Sequence, residues 1–270
     1  MSLVVLVIAS NRDIAAQNIA KELTKTHEFS PIRGEDGLLQ HENVLLKYVE
    51  SDGIYTNVVK SPSGVDCVIF ASRHRSQSDE RTLTVHWTGN CTSRADFGGT
   101  PKTLSYTDPP RLRAALLELD KFREDHKLNY TVSLEATHHG PTELDAPTMF
   151  VEVGSTKREW EDPLAVTAAS EAIWKAATAP STGIPAVGFG GGHYCNKQCA
   201  ALRMGGYTFS HILSKYFFDE YDEQVVWMAF ERTLGDHCHT AVLDWKGIRG
   251  PERSRLLDTL KQRNIDIVRV

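Results

Sequence analysis

Leu3-Val4-Val5-Leu6-Val7-Ile8-Ala9 is an unbroken apolar run rich in β-branched residues, with no polar alternation. That pattern belongs to a central strand covered on both faces. Asp13 to Lys25 follows with Ala16, Ile19, Ala20 and Leu23 on one helical face, so the chain opens as a strand–helix unit. Further strands are predicted at Val44–Val49, Cys67–Ala71, Leu83–Trp87, Tyr130–Ala136 and Met149–Val153. Asp108-Pro109 and Asp162-Pro163 both read as helix starts, the first carrying Leu112, Leu116 and Leu119 inward, the second opening the alanine-rich stretch Leu164–Ala177. A strand at Ile184–Phe189, a helix at Glu223–Leu234, a strand at Thr240–Asp244, a helix at Pro251–Arg263 and a strand at Ile265–Val270 continue the alternation. The expected class is α/β, with a mixed, largely parallel sheet flanked by helices. Residues 1–270 are read as a single domain, or as two lobes with a seam near 155–162.

The 270 residues are 41% hydrophobic and 24% charged, which excludes disordered, collagen-like and coiled-coil chains. The opening apolar run is far shorter than the ~20 residues of a membrane helix and has no basic flank, so neither a span nor a secretory signal is expected. Five cysteines in a chain of this size argue against a disulfide framework, and a cytoplasmic protein is expected. A net charge of −5 argues against a nucleic-acid binder held by bulk charge, although the segment from Asp244 to Val270 is locally basic.

Three stretches carry candidate chemistry. Glu135-Ala136-Thr137-His138-His139-Gly140-Pro141 stands where a predicted strand ends. Alternation along the strand puts Glu135, Thr137 and His139 on one face and His138 on the other unless the strand has bent, so at least one histidine overlooks the edge where α/β sheets bind ligands. Gly188-Phe189-Gly190-Gly191-Gly192-His193-Tyr194 also follows a buried strand. Its glycines suit close approach of a ligand and its N–H groups an oxyanion, yet the spacing fits neither a Walker loop nor a dinucleotide fingerprint, and a simple packing turn is an equal reading. Ser72-Arg73-His74-Arg75-Ser76 offers guanidinium groups for phosphate or carboxylate, and Gly98-Gly99-Thr100-Pro101-Lys102 is a turn whose lysine suits the same task.

Metal binding is a further reading. Cys195 and Cys199 stand four apart beside His193, and Cys238 lies between His237 and His239, but the spacing matches no standard finger or knuckle. A histidine–carboxylate set drawn from Glu135, His138, His139, Glu152 and His193 is preferred.

Ser72-Arg73-His74, Glu135 to Pro141, Phe150-Val151-Glu152-Val153-Gly154-Ser155 and Gly190-Gly191-Gly192-His193-Tyr194 occur in an order that resembles the D-aminoacyl-tRNA deacylases of the archaeal and plant type. The resemblance covers nearly the whole chain. It implies an architecture similar to peptidyl-tRNA hydrolases and nucleoside phosphorylases, hydrolysis of the ester between a D-amino acid and the terminal ribose of tRNA, and zinc as cofactor. Where the family reads Gly-Gly-His-Tyr-Ala-Pro and then a basic residue, this chain has His193-Tyr194-Cys195-Asn196-Lys197, which weakens a zinc role for the thiol. On this reading His138, His139, His193 and Thr137 are the catalytic candidates. His138, His139, His193, Glu135 and Glu152 are the zinc ligands to test. Arg73, His74, Lys102, Gly191, Gly192 and Lys197 are the candidates to hold the D-aminoacyl-tRNA. Two other classes stay open: a phosphorylase-like transferase acting on nucleosides, and a noncatalytic binder of the tRNA end.

Overall fold

The apolar opening run forms β1 (Val4–Ser10), in which Val5 to Ala9 are fully buried. The computed structural model describes residues 3–56, 64–76, 78–235 and 238–270. After β1 come α1 (Ile14–Thr26), β2 (Ser30–Pro31), β3 (Leu38–His41), β4 (Val44–Val49), β5 (Val65–Arg75), β6 (Thr82–Trp87), β7 (Gly89–Asn90) and β8 (Thr103–Leu104). The middle of the chain supplies α2 (Pro109–Asp125), β9 (Thr131–Leu134), β10 (Thr148–Ser155), α3 (Lys157–Trp160) and α4 (Pro163–Thr178). The remainder gives β11 (Ile184–Phe189), α5 (Asn196–Gly205), β12 (Tyr207–Leu213), α6 (Glu223–Glu231), β13 (Thr240–Leu243), α7 (Gly250–Lys261) and β14 (Asp266–Arg269).

An eight-stranded mixed sheet runs β2-β3-β4-β1-β5-β10-β6-β9, with β4, β1, β5 and β10 mutually parallel and β6 antiparallel to β10. Its central strand explains the unbroken apolar run. Val5, Val7 and Ala9 pack with α1, α2 and α4 on one face, while Leu6 and Ile8 join Val68, Phe70 and Phe150 on the other. A second sheet, β12-β11-β13-β14, is parallel throughout. Its outer face carries Val187, Phe189, Ala241 and Leu243 against Val226 and Phe230 of α6 and Leu256 and Leu260 of α7.

The α/β class and the mixed sheet are as the sequence predicts, with differences in detail. The strand expected over Tyr130–Ala136 ends at Leu134, because the chain leaves β6 there to pair with the second sheet. Residues Ser72 to Arg75, expected just past the end of the strand Cys67–Ala71, belong to β5, held in register by β10 through Ser155 opposite Arg75. α5 and β12 are elements the sequence reading did not anticipate.

The two sheets join through main chain and a buried polar seam. Cys195 N–H donates to Leu134 O at 3.0 Å, Ala136 N–H to His193 O at 2.9 Å, and Thr137 N–H to Ile212 O at 2.9 Å. Trp87 Nε1–H, fully inside, donates to Phe209 O at 3.0 Å. His211 Nε2–H donates to Ser105 O at 2.9 Å, so its Nδ1 lone pair accepts the Thr137 hydroxyl at 3.0 Å. Burial pushes the His211 pKa down to about 4, helped by Arg232, so the ring is neutral at pH 7.

Trp87→Ala removes a large core side chain and an inter-sheet hydrogen bond, and should lower unfolding stability by about 3–5 kcal/mol in urea titrations. Because the folded His211 pKa lies below the unfolded value, the unfolded chain binds the extra proton, and stability falls as pH drops from 6.5 towards 4. That contribution amounts to about 3 kcal/mol at the acid end, and His211→Gln should flatten it. A stability difference between variant and wild type that is constant from pH 7 to pH 4.5 would contradict the assignment.

Candidate functional site

Three strands of the mixed sheet set one face of the site. Glu152 on β10 sits opposite Ser72 of β5 and Thr84 of β6, with Gly154 opposite His74 and Phe150 opposite His86. Period-two alternation therefore puts His74, His86 and Glu152 on one face, with the carboxylate between the two rings. Gly154 makes the space: a Cβ there would lie 2.8 Å from the His74 Cβ.

The chain beyond β9 closes over this face. His139 takes φ 45°, an uncommon backbone for a residue with a side chain, and this kink lets adjacent His138 and His139 line the same cavities. The alternation expected for a straight strand is lost there. The glycine turn after β11 then delivers His193 beside them, its ring centroid 4.8 Å from that of His138. His86 and His138 centroids are 4.2 Å apart, and His138 and His139 4.4 Å.

Two buried carboxylates organise these rings. Glu135 Oε2 lies 2.9 Å from His193 Nε2 and 3.5 Å from His138 Nε2, and Glu135 Oε1 lies 3.1 Å from His74 Nδ1. Glu152 Oε2 is 3.1 Å from His74 Nδ1, and Glu152 Oε1 is 3.9 Å from His86 Nε2. Burial alone raises a carboxyl pKa, yet the neighbouring histidines outweigh it, holding Glu135 down to about 2 and Glu152 well below its usual range. Burial likewise opposes charge on His74, but Glu152 and Glu135 raise it to about 9. Burial pushes His139 down to about 4 and His138 well below the ordinary histidine value, with the His86 charge adding to both.

The donor set fits a metal ion. Nδ1 of His86, His138 and His139 each faces a backbone carbonyl, of Trp87, Ala136 and Gly140, at 3.1, 2.8 and 2.7 Å. Those hydrogen bonds turn all three Nε2 atoms toward the site, the arrangement typical of metal-binding histidines; on His86 burial opposes charge but Glu152 and Glu135 raise the pKa, so its Nε2 lone pair becomes available on loss of that proton. Ligand atoms of His86, His138 and His139 lie within 4.8 Å of one another, as do those of His74, Glu135 and His193, and of His86, Glu135 and Glu152. His86 Nε2 and both Glu135 oxygens are buried and receive no well-directed hydrogen bond, so the close ring contacts do not satisfy them.

His138, His139 and His193 stand between two cavities. One, of about 490 Å³, is walled also by Asp52, Ile54, Tyr55, Arg73 and Arg75, and the other, of about 250 Å³, by Asn90, Cys91, Tyr216 and Phe217. Phe97 borders both.

The remaining candidates are distributed as follows. Arg73 reaches the larger cavity, its Nη1 donating to Arg12 O at 2.8 Å and its Nη2 3.5 Å from Asp52. Thr137 is engaged with His211 and Ile212 in the inter-sheet seam. Lys102 Nζ is bound by Asp222 at 3.0 Å and does not line either cavity. Lys197 is exposed in the first turn of α5. Gly191 and Gly192 lie outside both cavity walls, and the Gly191 carbonyl accepts Lys215 N–H at 2.9 Å. Cys195 and Cys199 are buried, with burial pushing both thiol pKa values up, and Cys199 Sγ accepts Leu134 N–H at 3.0 Å. His237 lies outside the described residues. The sequence reading missed His86, whose signal was a lone ionisable residue inside the strand Thr82–Trp87, and the Tyr194 hydroxyl, 3.0 Å from His74 Nε2.

A family model described as D-aminoacyl-tRNA deacylase matches residues 62–268. D-aminoacyl-tRNA deacylases of Methanosarcina acetivorans and Methanosarcina barkeri are 32% and 34% identical over 98% of this chain, which span 92% and 89% of their own lengths. That of Thermoplasma acidophilum is 31% identical over 98% of this chain and 99% of its own. A crystal structure of a conserved protein of unknown function superposes on 100% of the chain and 96% of its own, at TM-score 0.90 and 28% identity. A Campylobacter jejuni 5'-methylthioadenosine/S-adenosyl homocysteine nucleosidase aligns at TM-score 0.41 and 10% identity over 65% of this chain, too distant to bear on fold or activity. With its fold, its histidine–carboxylate cluster and these full-length matches together, the chain belongs to the D-aminoacyl-tRNA deacylase family.

Proposed function

We propose that the chain hydrolyses the ester between a D-amino acid and the terminal ribose of tRNA, releasing both, and that the histidine–carboxylate cluster performs the reaction. The observation that carries this reading is His193, which opens on both cavities while its Nε2 lies 2.9 Å from the ionised Glu135. With Nε2 turned to the Glu135 carboxylate as its ion-pair partner, Nδ1 is the nitrogen left to accept a proton from water as the water's oxygen attacks the ester carbonyl. The same proton then passes to the departing ribose oxygen, which balances the step. Arg73 and Arg75, on the wall of the larger cavity, give cationic contact for the tRNA backbone.

Zinc is the cofactor this reading takes. His86, His138 and His139 would hold it through Nε2, with Glu152 and Glu135 supplying the anionic surroundings. Bound zinc supplies Lewis acidity, polarising a carbonyl and making water easier to deprotonate. The five cysteines are free, which agrees with a reducing compartment such as the cytoplasm, and no helix among the described residues is long and apolar enough to cross a membrane.

Purified protein should release D-tyrosine from D-tyrosyl-tRNA far faster than L-tyrosine from the L-ester, with no requirement for inorganic phosphate. Equal rates for the two enantiomers would remove the deacylase reading, and strict phosphate dependence would favour the transferase. His193→Ala should reduce kcat by about a hundredfold or more, whereas Cys195→Ser, with its buried protonated thiol, should stay active. His86→Ala should lower zinc affinity by about 10- to 100-fold or more in competition with a chromogenic chelator, a readout independent of turnover. Arg73→Ala and Lys197→Ala should each reduce the salt slope of tRNA binding by about one unit, while Lys102→Ala, whose ammonium is tied to Asp222, should leave it nearly unchanged.

A further inference from the structure

Three aromatic side chains stand largely exposed, Tyr55 at 51%, Phe97 at 63% and Tyr216 at 57%, and every one of them lines a cavity beside the histidines. Exposed aromatic rings beside a site for single-stranded nucleic acid are stacking platforms, since every base has a π face. Resting on the ester-hydrolase reading, we propose that the smaller cavity is the subsite for the terminal nucleobase of tRNA, which stacks on Phe97 and Tyr216.

The backbone that carries each of the two rings is tethered to the site. The Phe97 carbonyl accepts Gly140 N–H at 3.0 Å, tying its loop to the residue after His139. Asn90 Nδ2 donates to Gly98 O at 2.8 Å and to Thr100 O at 3.3 Å. Gly98 has φ +79° and lies so close to the Ile54 carbonyl that no Cβ would fit, so the turn carrying Phe97 packs on Ile54 at this point. On the other side, Lys215 N–H donates to Gly191 O, which fixes the start of the segment bearing Tyr216 to the glycine turn that delivers His193. The glycine turn thus links the backbone that carries a catalytic ring to the backbone that carries a stacking ring.

Charge separates the two cavities. The larger one presents Asp13, Asp52 and Glu152 with Arg73 and Arg75, a polar mixed wall. The smaller one presents Phe97, Tyr216 and Phe217 with Asn90, and its Arg94 and Asp96 neutralise each other at 2.5 Å. Asn90, having given its amide protons to the loop, offers its Oδ1 to the exocyclic amino group of an adenine. Lys215 Nζ lies 5.2 Å from the centre of the Tyr216 ring, an outward cation suited to the phosphate that precedes the stacked base.

The test is calorimetric titration of the full chain with AMP and with ribose 5-phosphate, which differ only by the base. AMP should bind about tenfold or more tightly than ribose 5-phosphate. Tyr216→Ala and Phe97→Ala should each abolish most of that preference and raise KM for D-tyrosyl-tRNA several-fold more than they lower kcat, while Tyr216→Phe should keep both near wild type. Both side chains are surface residues, so the variants should fold, and circular dichroism checks this. Equal binding of the two ligands by wild type would overturn the proposal. So would a base preference untouched by either alanine variant, or one lost only in Tyr55→Ala, which would put the base in the larger cavity. If wild type bound AMP as expected but left D-tyrosyl-tRNA intact, the hydrolase reading would fail while the nucleobase subsite stood.

Discussion

Everything at the site depends on where the chain goes after Leu134. Leu134 at the end of β9, and Ala136 and Thr137 beyond it, make main-chain hydrogen bonds with the turn after β11 and with β12, so one short segment leaves the mixed sheet and becomes the hinge pin of the parallel one. Because these bonds join peptide groups, their geometry is indifferent to the side chains that hang from them. Glu135, His138 and His193 are thereby brought together from two sheets by the backbone, and the side chains are left free to do chemistry. Sheet docking and site assembly are the same event.

Placing two carboxylates inside such a seam is expensive unless cations meet them. The protein meets them with rings rather than with lysine or arginine. Imidazole is compact enough for several copies to crowd one carboxylate, and its charge depends on its surroundings, so the rings in the cluster divide into distinct states. His74, held between Glu135 and Glu152, is the ring those carboxylates favour in its protonated form, whereas burial favours the neutral form of His138 and His139 and keeps their lone pairs. The same composition in water would give five equivalent bases. Burial makes them different.

The legible part of the sequence was what local pattern controls. The apolar run of β1, the helix-starting Asp-Pro pairs and the glycine turn before His193 all state their structure within a few residues. The class of fold followed from them. What was not legible depended on partners far away in the chain. β12 carries Ser210 and His211 inside the protein, so its composition reads as a surface strand until the polar seam that satisfies them is known. His86 has the same difficulty, since one histidine in a strand gains meaning only when Glu152 and His138 are placed against it. Lys102 shows the converse: a turn lysine invites a phosphate until Asp222, 120 residues later, is found to hold it.

The main-chain seam has a consequence for how activity is lost. Amide protons on Ala136, Thr137 and Cys195 are protected only while the sheets are docked, so they exchange through separation of the sheets rather than through fraying at an edge. The residues that position His193 belong to that same cooperative unit. Heating the protein therefore does not loosen the site gradually ahead of the fold; inactivation and the deprotection of those amides share one opening, and the catalytic geometry is either whole or absent.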